Sequence, residues 1–340
     1  MPDLSLTKST SAENISTFMK ENSKAAALWR ARGHLLDTKD LSKQEVDCLI
    51  QLASICKEIY HADVAPLDVL ASKSVANVFF ENSTRTRGSF ELAAKKLGAS
   101  VLNLDVETSS VAKGETILDT AKTLVAMGVS GIVLRHSSSG TPHQLAGYVP
   151  SNVHVINAGD GWHAHPTQAL LDLFTILEKQ KDITGAKVAI IGDILHSRVA
   201  RPNIWLLKLF GANIHVAGPP TLMPAEIAKL GITVHNRLEP AIEDADFIIL
   251  LRMQLERQKK GLIPSLGEYK KLYRLDHNRV KLAKPGVKIM HPGPVNRGVE
   301  ITDELVSDDD FTLVGMQVTN GIAVRMAALC LLLNDKEVCR

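Results

Sequence analysis

Val75-Ala76-Asn77-Val78-Phe79-Phe80-Glu81-Asn82-Ser83-Thr84-Arg85-Thr86-Arg87 passes from an apolar run into a polar, cationic one. Val75–Phe80 reads as a buried strand, and Phe90–Leu97, stopped by Gly98, reads as a helix. The segment between them opens toward a helix N-terminus, where unpaired backbone N–H groups and a partial positive charge attract anions. Ser83, Thr84 and Thr86 add hydroxyl donors there, and Arg85 adds a planar fork suited to phosphate oxygens. The plainer alternative is Ser83 as an ordinary N-cap with both arginines solvated. No Gly-x-x-x-x-Gly-Lys-[Ser/Thr] occurs, so this is not a nucleotide P-loop.

Outward from this stretch, strand-like and helix-like runs alternate. Val101–Leu104 and Gly131–Arg135 read as strands around a helix at Thr116–Met127, and Val153–Asn157 as a short strand before Gly159–Gly161. A long helix begins near Pro166, with Leu170, Leu171, Phe174 and Leu177 on one side. The alternation then restarts with strands at Lys187–Ile191, Ile214–Ala217, Ile232–His235, Phe247–Leu251 and Val287–Met290. Helices are expected at Asn203–Phe210, Ala225–Leu230 and Ala241–Ala245, and an apolar one at Ile322–Leu333. Such repetition predicts an α/β protein of two doubly wound parallel-sheet domains joined by helices, with the active site in the interdomain cleft. Ligands are expected at the carboxyl ends of the strands.

A length of 340 residues also favours two domains. Hydrophobic residues make up 45% and charged residues 22%, as in ordinary globular proteins. The net charge of +2 gives no reason to expect nucleic acid or an anionic membrane as partner. Any anion site must come from local placement of Arg and Lys. Cys48, Cys56, Cys330 and Cys339 form no Cys-x-x-Cys pair and no zinc-spaced cluster, so reduced thiols in the cytoplasm are expected. No secretory h-region is visible, and no apolar run approaches the ~20 residues that span a bilayer. Met1 to about Lys24, rich in Ser, Thr, Lys and Glu, reads as a mobile tail or loosely docked arm.

Ser83-Thr84-Arg85-Thr86-Arg87 resembles the signature of the aspartate and ornithine carbamoyltransferases. Lys113-Gly114-Glu115-Thr116, Arg135-His136, His165-Pro166-Thr167-Gln168, Gly192-Asp193 with Arg198, Arg252-x-Gln254 and His291-Pro292-Gly293-Pro294 follow in family order, covering roughly residues 75–325. The resemblance implies that Ser83, Thr84, Arg85 and Thr86 hold the phosphate of carbamoyl phosphate. Arg135, His165 and Gln168 would surround the carbamoyl group, and Pro292, Gly293 and Pro294 would close the far side. It implies an N-terminal arm at 1–32, a carbamoyl-phosphate domain at 33–170, an acceptor domain at 171–321 and a helix at 322–336 that packs back on the first domain.

The acceptor follows from charge. Aspartate carries two carboxylates and needs several cations; Lys113, Arg198 and Arg252 match the family's aspartate positions, with Gln254 assisting Arg252. Ornithine would need an acidic partner, and its enzymes typically carry His-Cys-Leu-Pro where His291-Pro292-Gly293-Pro294 stands. The implied reaction has the aspartate amine attack the carbamoyl carbon as phosphate leaves, a step of pyrimidine (UMP) biosynthesis. Thr86, Arg135 and His165 are candidates for the carbonyl oxygen, with Arg85 on the phosphate. Neutral His165 suffices as a donor, because Arg135 nearby disfavours the imidazolium. Cleft closure on aspartate is expected, with no metal and no cofactor. The resemblance also implies a homotrimer with shared sites, Ser109 and Lys113 coming from the neighbouring chain. Regulatory or dihydroorotase-like partner chains are left open.

Three rival readings stand beside this one. A transcarbamylase with another amine acceptor, such as ornithine, keeps the phosphate loop. A dinucleotide enzyme would use the strand before Gly192, but Gly-x-Gly-x-x-Gly is absent there. A non-catalytic scaffold should have lost motif residues, and here all sets stand.

Overall fold

The computed structural model describes residues 7–62, 64–105, 116–254 and 262–334. The chain divides into two compact units. One takes the chain to Leu171 and again from Val318, and the other runs Asp172–Gln317.

The first unit opens with α1 (Lys8–Glu21), α2 (Ser23–Arg32) and α3 (Lys43–His61). The tail expected to be mobile is helical from Lys8. Thr7 and Thr10 form a capping box, and Ile15, Phe18 and Met19, spaced to share one helical face, are buried. Trp29 of α2 is fully buried and donates from Nε1 to Glu45 O at 2.9 Å, and Arg32 Nε meets Glu45 Oε1 at 2.7 Å. These helices pack on α3, for which the sequence reading above names no element. Apart from Ser11, which is buried, the polar residues that suggested a tail lie on the outer faces, since one apolar stripe suffices to dock a helix.

Next come β1 (Ser74–Phe79), α4 (Thr84–Lys96), β2 (Ser100–Asp105), α5 (Ile117–Ala126), β3 (Gly131–His136), α6 (Thr141–Ala146), β4 (His154–Asp160) and α7 (Pro166–Lys179). The four strands are parallel in the order β2-β1-β3-β4, with Val75 opposite both Val101 and Gly131. Ala76, Val133, Val155 and Ile156 are fully buried, as strands covered on both faces require. α4 starts earlier than the sequence suggests, so Thr84-Arg85-Thr86 is itself the first helical turn.

The second unit holds β5 (Lys187–Ile191), α8 (Ala200–Leu209), β6 (Asn213–Ala217), β7 (Thr233–His235), α9 (Leu238–Ile242), β8 (Phe247–Leu250), α10 (Leu266–Tyr273), α11 (His277–Val280), β9 (Lys288–Met290) and α12 (Asp303–Val306). Its sheet is parallel in the order β7-β6-β5-β8-β9, with Val188, Ala189 and Ile190 of β5 fully buried at the centre. The helix expected at 225–230 is only a 3-10 turn, Ile227–Leu230. Pro224 before it and Gly231 after it leave too little chain for a stable α-helix.

α13 (Val314–Leu333) passes from the second unit into the first. It is long and apolar enough by composition to cross a bilayer, yet 83% of its apolar window is buried inside the protein. That burial marks a core helix. Leu333 packs within 3.4 Å of where a Cβ on Gly131 would stand.

Each sheet has one point where successive connections leave in opposite directions. In the first it lies between β1 and β3, and in the second between β5 and β8. Loops diverge at such a point and leave room for a ligand at the strands' carboxyl ends.

Candidate active site

In the first unit, β1 and β3 flank that point. Ser83 is the N-cap of α4, but its side chain makes no capping bond. The hydroxyl is therefore not spent on capping the helix, and Arg85 and Arg87 are both exposed. Helix geometry leaves the N–H groups of Thr84, Arg85 and Thr86 without intrahelical partners. Thr86 is buried, while Thr84 and Arg85 are exposed. Arg135, at the end of β3, donates from Nη1 to Ala158 O at 3.3 Å, and its Nε lies 3.5 Å from Glu81 Oε2. These contacts hold the guanidinium at the strand end. His165 is buried and precedes Pro166, the first residue of α7, where proline's missing N–H costs nothing. Its carbonyl accepts from Gln168 N at 3.0 Å and Ala169 N at 3.3 Å. Gln168 is buried in that first turn.

In the second unit, β5 and β8 flank the equivalent point. After β5, Asp193 Oδ1 accepts from His196 N at 3.1 Å, and Ser197 Oγ accepts from Val199 N and Ala200 N at 3.2 Å. Arg198 is buried within this turn. After β8, Arg252 Nη1 donates to Gln254 Oε1 at 3.5 Å. After β9, His291 N donates to Gln317 Oε1 at 3.0 Å, and His291 Nδ1 accepts from Gly293 N at 2.8 Å. Gly293 sits at φ +64°, a conformation that favours glycine. Ser109 and Lys113 fall outside the described residues.

Residues 33–178 match the model of the aspartate/ornithine carbamoyltransferase carbamoyl-P binding domain, and residues 184–332 match that of the Asp/Orn binding domain. The chain belongs to the aspartate/ornithine carbamoyltransferase family. It is 49% identical over 314 residues to the aspartate carbamoyltransferase catalytic subunit of Thermosynechococcus vestitus, covering 89% of this chain and 95% of that one. It is 53% identical over 298 residues to the corresponding subunit of Ruminiclostridium cellulolyticum, covering 88% and 94%. Among solved structures it resembles the Trypanosoma cruzi aspartate transcarbamoylase in complex with carbamoyl aspartate and phosphate, at TM-score 0.79 and 30% identity over 88% of this chain and 96% of that one. The ornithine carbamoyltransferase of Pyrococcus furiosus is as similar in fold, at TM-score 0.78 and 30% identity over 89% and 98%. Backbone shape therefore does not separate the two acceptors within the family.

Sequence motifs missed two supports of this carbamoyltransferase's loops. Glu300 is almost fully buried. Its Oε1 accepts from Met253 N at 2.8 Å and Asn296 Nδ2 at 2.7 Å, and its Oε2 from Asn296 N at 2.8 Å. One carboxylate thus joins the Arg252–Gln254 loop to the loop after β9. Asp160 does the same in the first unit: Oδ2 accepts from Gly140 N at 2.7 Å, and Oδ1 from Asn157 Nδ2 at 2.8 Å and Ala164 N at 3.1 Å. The sequence shows Asp160 at the end of a strand and Glu300 in a loop, and neither position reveals its partners. His143, Asp160 and His163 bring ligand-type atoms within 4.8 Å of one another. Both ring nitrogens of His163 already face carboxylates, so the group reads as an ion pair rather than a metal centre.

Proposed function

We propose that this carbamoyltransferase moves the carbamoyl group of carbamoyl phosphate to the amine of L-aspartate, giving N-carbamoyl-L-aspartate and phosphate. The observation that carries the acceptor is the cation set: Arg198 buried after β5, and Arg252 paired with Gln254 after β8. Two carboxylates call for such a set, and a second amine would be repelled by it. The 49% and 53% identical relatives named as aspartate enzymes support the same choice.

Ser83, Thr84, Arg85 and Thr86, with the N-terminus of α4, take the phosphate. Arg135, His165 and Gln168 take the carbamoyl group, with the backbone of Pro292, Gly293 and Pro294. Arg198, Arg252, Gln254 and Lys113 take aspartate. As the amine attacks, charge grows on the carbamoyl oxygen, where Thr86, Arg135 and His165 stabilise it as preorganised donors. Charge also grows on the departing phosphate, where Arg85 acts. The phosphate oxygens accept the amine proton, so no protein base is assigned. Holding both substrates in attack geometry supplies much of the remaining acceleration.

Assay of the purified chain with carbamoyl phosphate and either aspartate or ornithine tests the reading. Carbamoyl-aspartate should form, and preferential carbamoylation of ornithine would overturn it. Arg252→Ala should raise the KM for aspartate by about tenfold or more while leaving that for carbamoyl phosphate nearly unchanged, as expected for a charge-assisted contact worth ~1.5–3 kcal/mol. Equal weakening of both substrates would make Arg252 structural.

We place the enzyme in pyrimidine biosynthesis and in the cytoplasm, where the buried free thiols of Cys48, Cys56 and Cys330 would stay reduced. We also propose a homotrimer in which Ser109 and Lys113 serve the neighbouring chain's site. Their stretch, Ser109-Ser110-Val111-Ala112-Lys113-Gly114, is small and polar, suited to reaching out. Mixing the impaired Lys113→Ala and Arg85→Ala chains under subunit exchange should then raise activity above that of either chain alone. Exchange shown by mass analysis without recovered activity would mean that each site is built within one chain.

A further inference from the structure

His163 stands between two carboxylates. Its Nδ1 lies 3.1 Å from Asp160 Oδ2 and 3.3 Å from Oδ1, and its Nε2 lies 3.4 Å from Asp37 Oδ2. A neutral imidazole donates from one nitrogen only, whereas carboxylates only accept. Satisfying both sides takes a proton on each nitrogen, which is the imidazolium. Asp160 is fully buried, so an unpaired charge there would be costly.

The bridge sits where it can act on the site. Asp160 ends β4, and its carboxylate fixes Gly140 in the loop after β3 and Ala164, the residue before His165. Gly161, at φ +45°, packs so tightly that an added Cβ would stand 2.4 Å from Ser139 Oγ. Asp37 anchors the other side. It follows Leu35, which pairs with Ile156 of β4, and its Oδ1 accepts from Thr38 N at 2.6 Å. Among the described residues, further titratable groups nearby include His143, whose ring meets that of His163 edge-on at 5.3 Å, and His136 on β3, which feels the charge of Asp160.

We propose that His163 is a positioning residue that works as an imidazolium: bridging Asp37 and Asp160, it holds the loop that presents His165 to the carbamoyl group. This rests on the role given to His165 under Proposed function. Hydrogen bonds to Asp160 and then to Asp37, outweighing desolvation, raise the His163 pKa from 6.5 to about 9. A raised pKa means that the bridge's stabilisation is complete below about pH 6.5 and is lost as pH rises through about 9. A divalent ion on the same groups would have to displace this proton.

The test uses the full chain, its His163→Gln variant and its Asp37→Asn variant. NMR of 13C-histidine-labelled protein should show one imidazole titrating near pH 9 that is absent from His163→Gln and shifted to lower pH in Asp37→Asn. Kinetics from pH 6.5 to 10 should show kcat reduced about tenfold or more in His163→Gln at neutral pH, with the KM for aspartate little changed. The wild-type kcat should also fall near pH 9 on a limb that the variant lacks. A merely structural role would lower thermal stability without removing that limb. A His163 resonance titrating near 6.5, or wild-type kcat across the range in His163→Gln, overturns the proposal. If wild-type chain forms no carbamoyl-aspartate, the functional reading falls instead, and the NMR midpoint still decides whether the bridge exists.

Discussion

Arg85→Ala should lower kcat for carbamoyl-aspartate formation on the order of ten- to a hundredfold, the equivalent of losing one charge-assisted contact of ~1.5–3 kcal/mol. The loss falls on turnover as well as affinity, because the phosphate gains charge as it departs and the guanidinium stabilises that state more than the ground state. Stability should change little, within about 0.5 kcal/mol, because the Arg85 side chain is exposed on the first turn of α4. Alanine also preserves the helical turn, so the backbone N–H groups remain aimed at the phosphate. Residual phosphate affinity is therefore expected. Steady-state kinetics with a thermal melt checks both parts, and wild-type turnover would remove Arg85 from the site.

Glu300→Ala should be costly in a different way. The mutation strips the carboxylate that accepts from Met253 N and Asn296 N. A hydrogen bond to a charged group contributes roughly 1.5–3 kcal/mol, so losing both should lower the unfolding free energy on the order of 3–5 kcal/mol. Function should suffer as well. Met253 lies between Arg252 and Gln254, so freeing it loosens the pair assigned to aspartate. The KM for aspartate should rise more than that for carbamoyl phosphate. Glu300→Gln, which keeps one carbonyl oxygen, should recover part of the stability. Denaturant melts decide the matter: an unchanged unfolding free energy in Glu300→Ala would mean that the loops are held by other contacts.

The candidate site residues of the two units were legible to different degrees. Ser83-Thr84-Arg85-Thr86 could be read from sequence because strand, loop and helix start are contiguous, and the anion-binding character belongs to the helix end itself. His165-Pro166 was legible for the same reason, proline marking the first residue of α7. The helix boundary at Thr84 was not, since Gly88 weakens the helical pattern and only packing of Phe90 and Ala93 on the sheet extends it. α1 shows the opposite error: its polar composition hid a stripe made of Ile15, Phe18 and Met19.

The carboxylates that hold the loops lay beyond sequence reasoning. Glu300 meets Met253 across 47 residues, and Gln317 meets His291 across 26. His163 finds Asp37 through the pairing of Leu35 with β4. By itself the sequence determined the alternation of strand and helix, the proposed anion-binding turn and the candidate cations, because each depends on backbone sterics and side-chain chemistry within a few residues. Only the tertiary structure decided which charge answers which, because a buried carboxylate takes its partners from whatever loops the sheet order brings to its strand end.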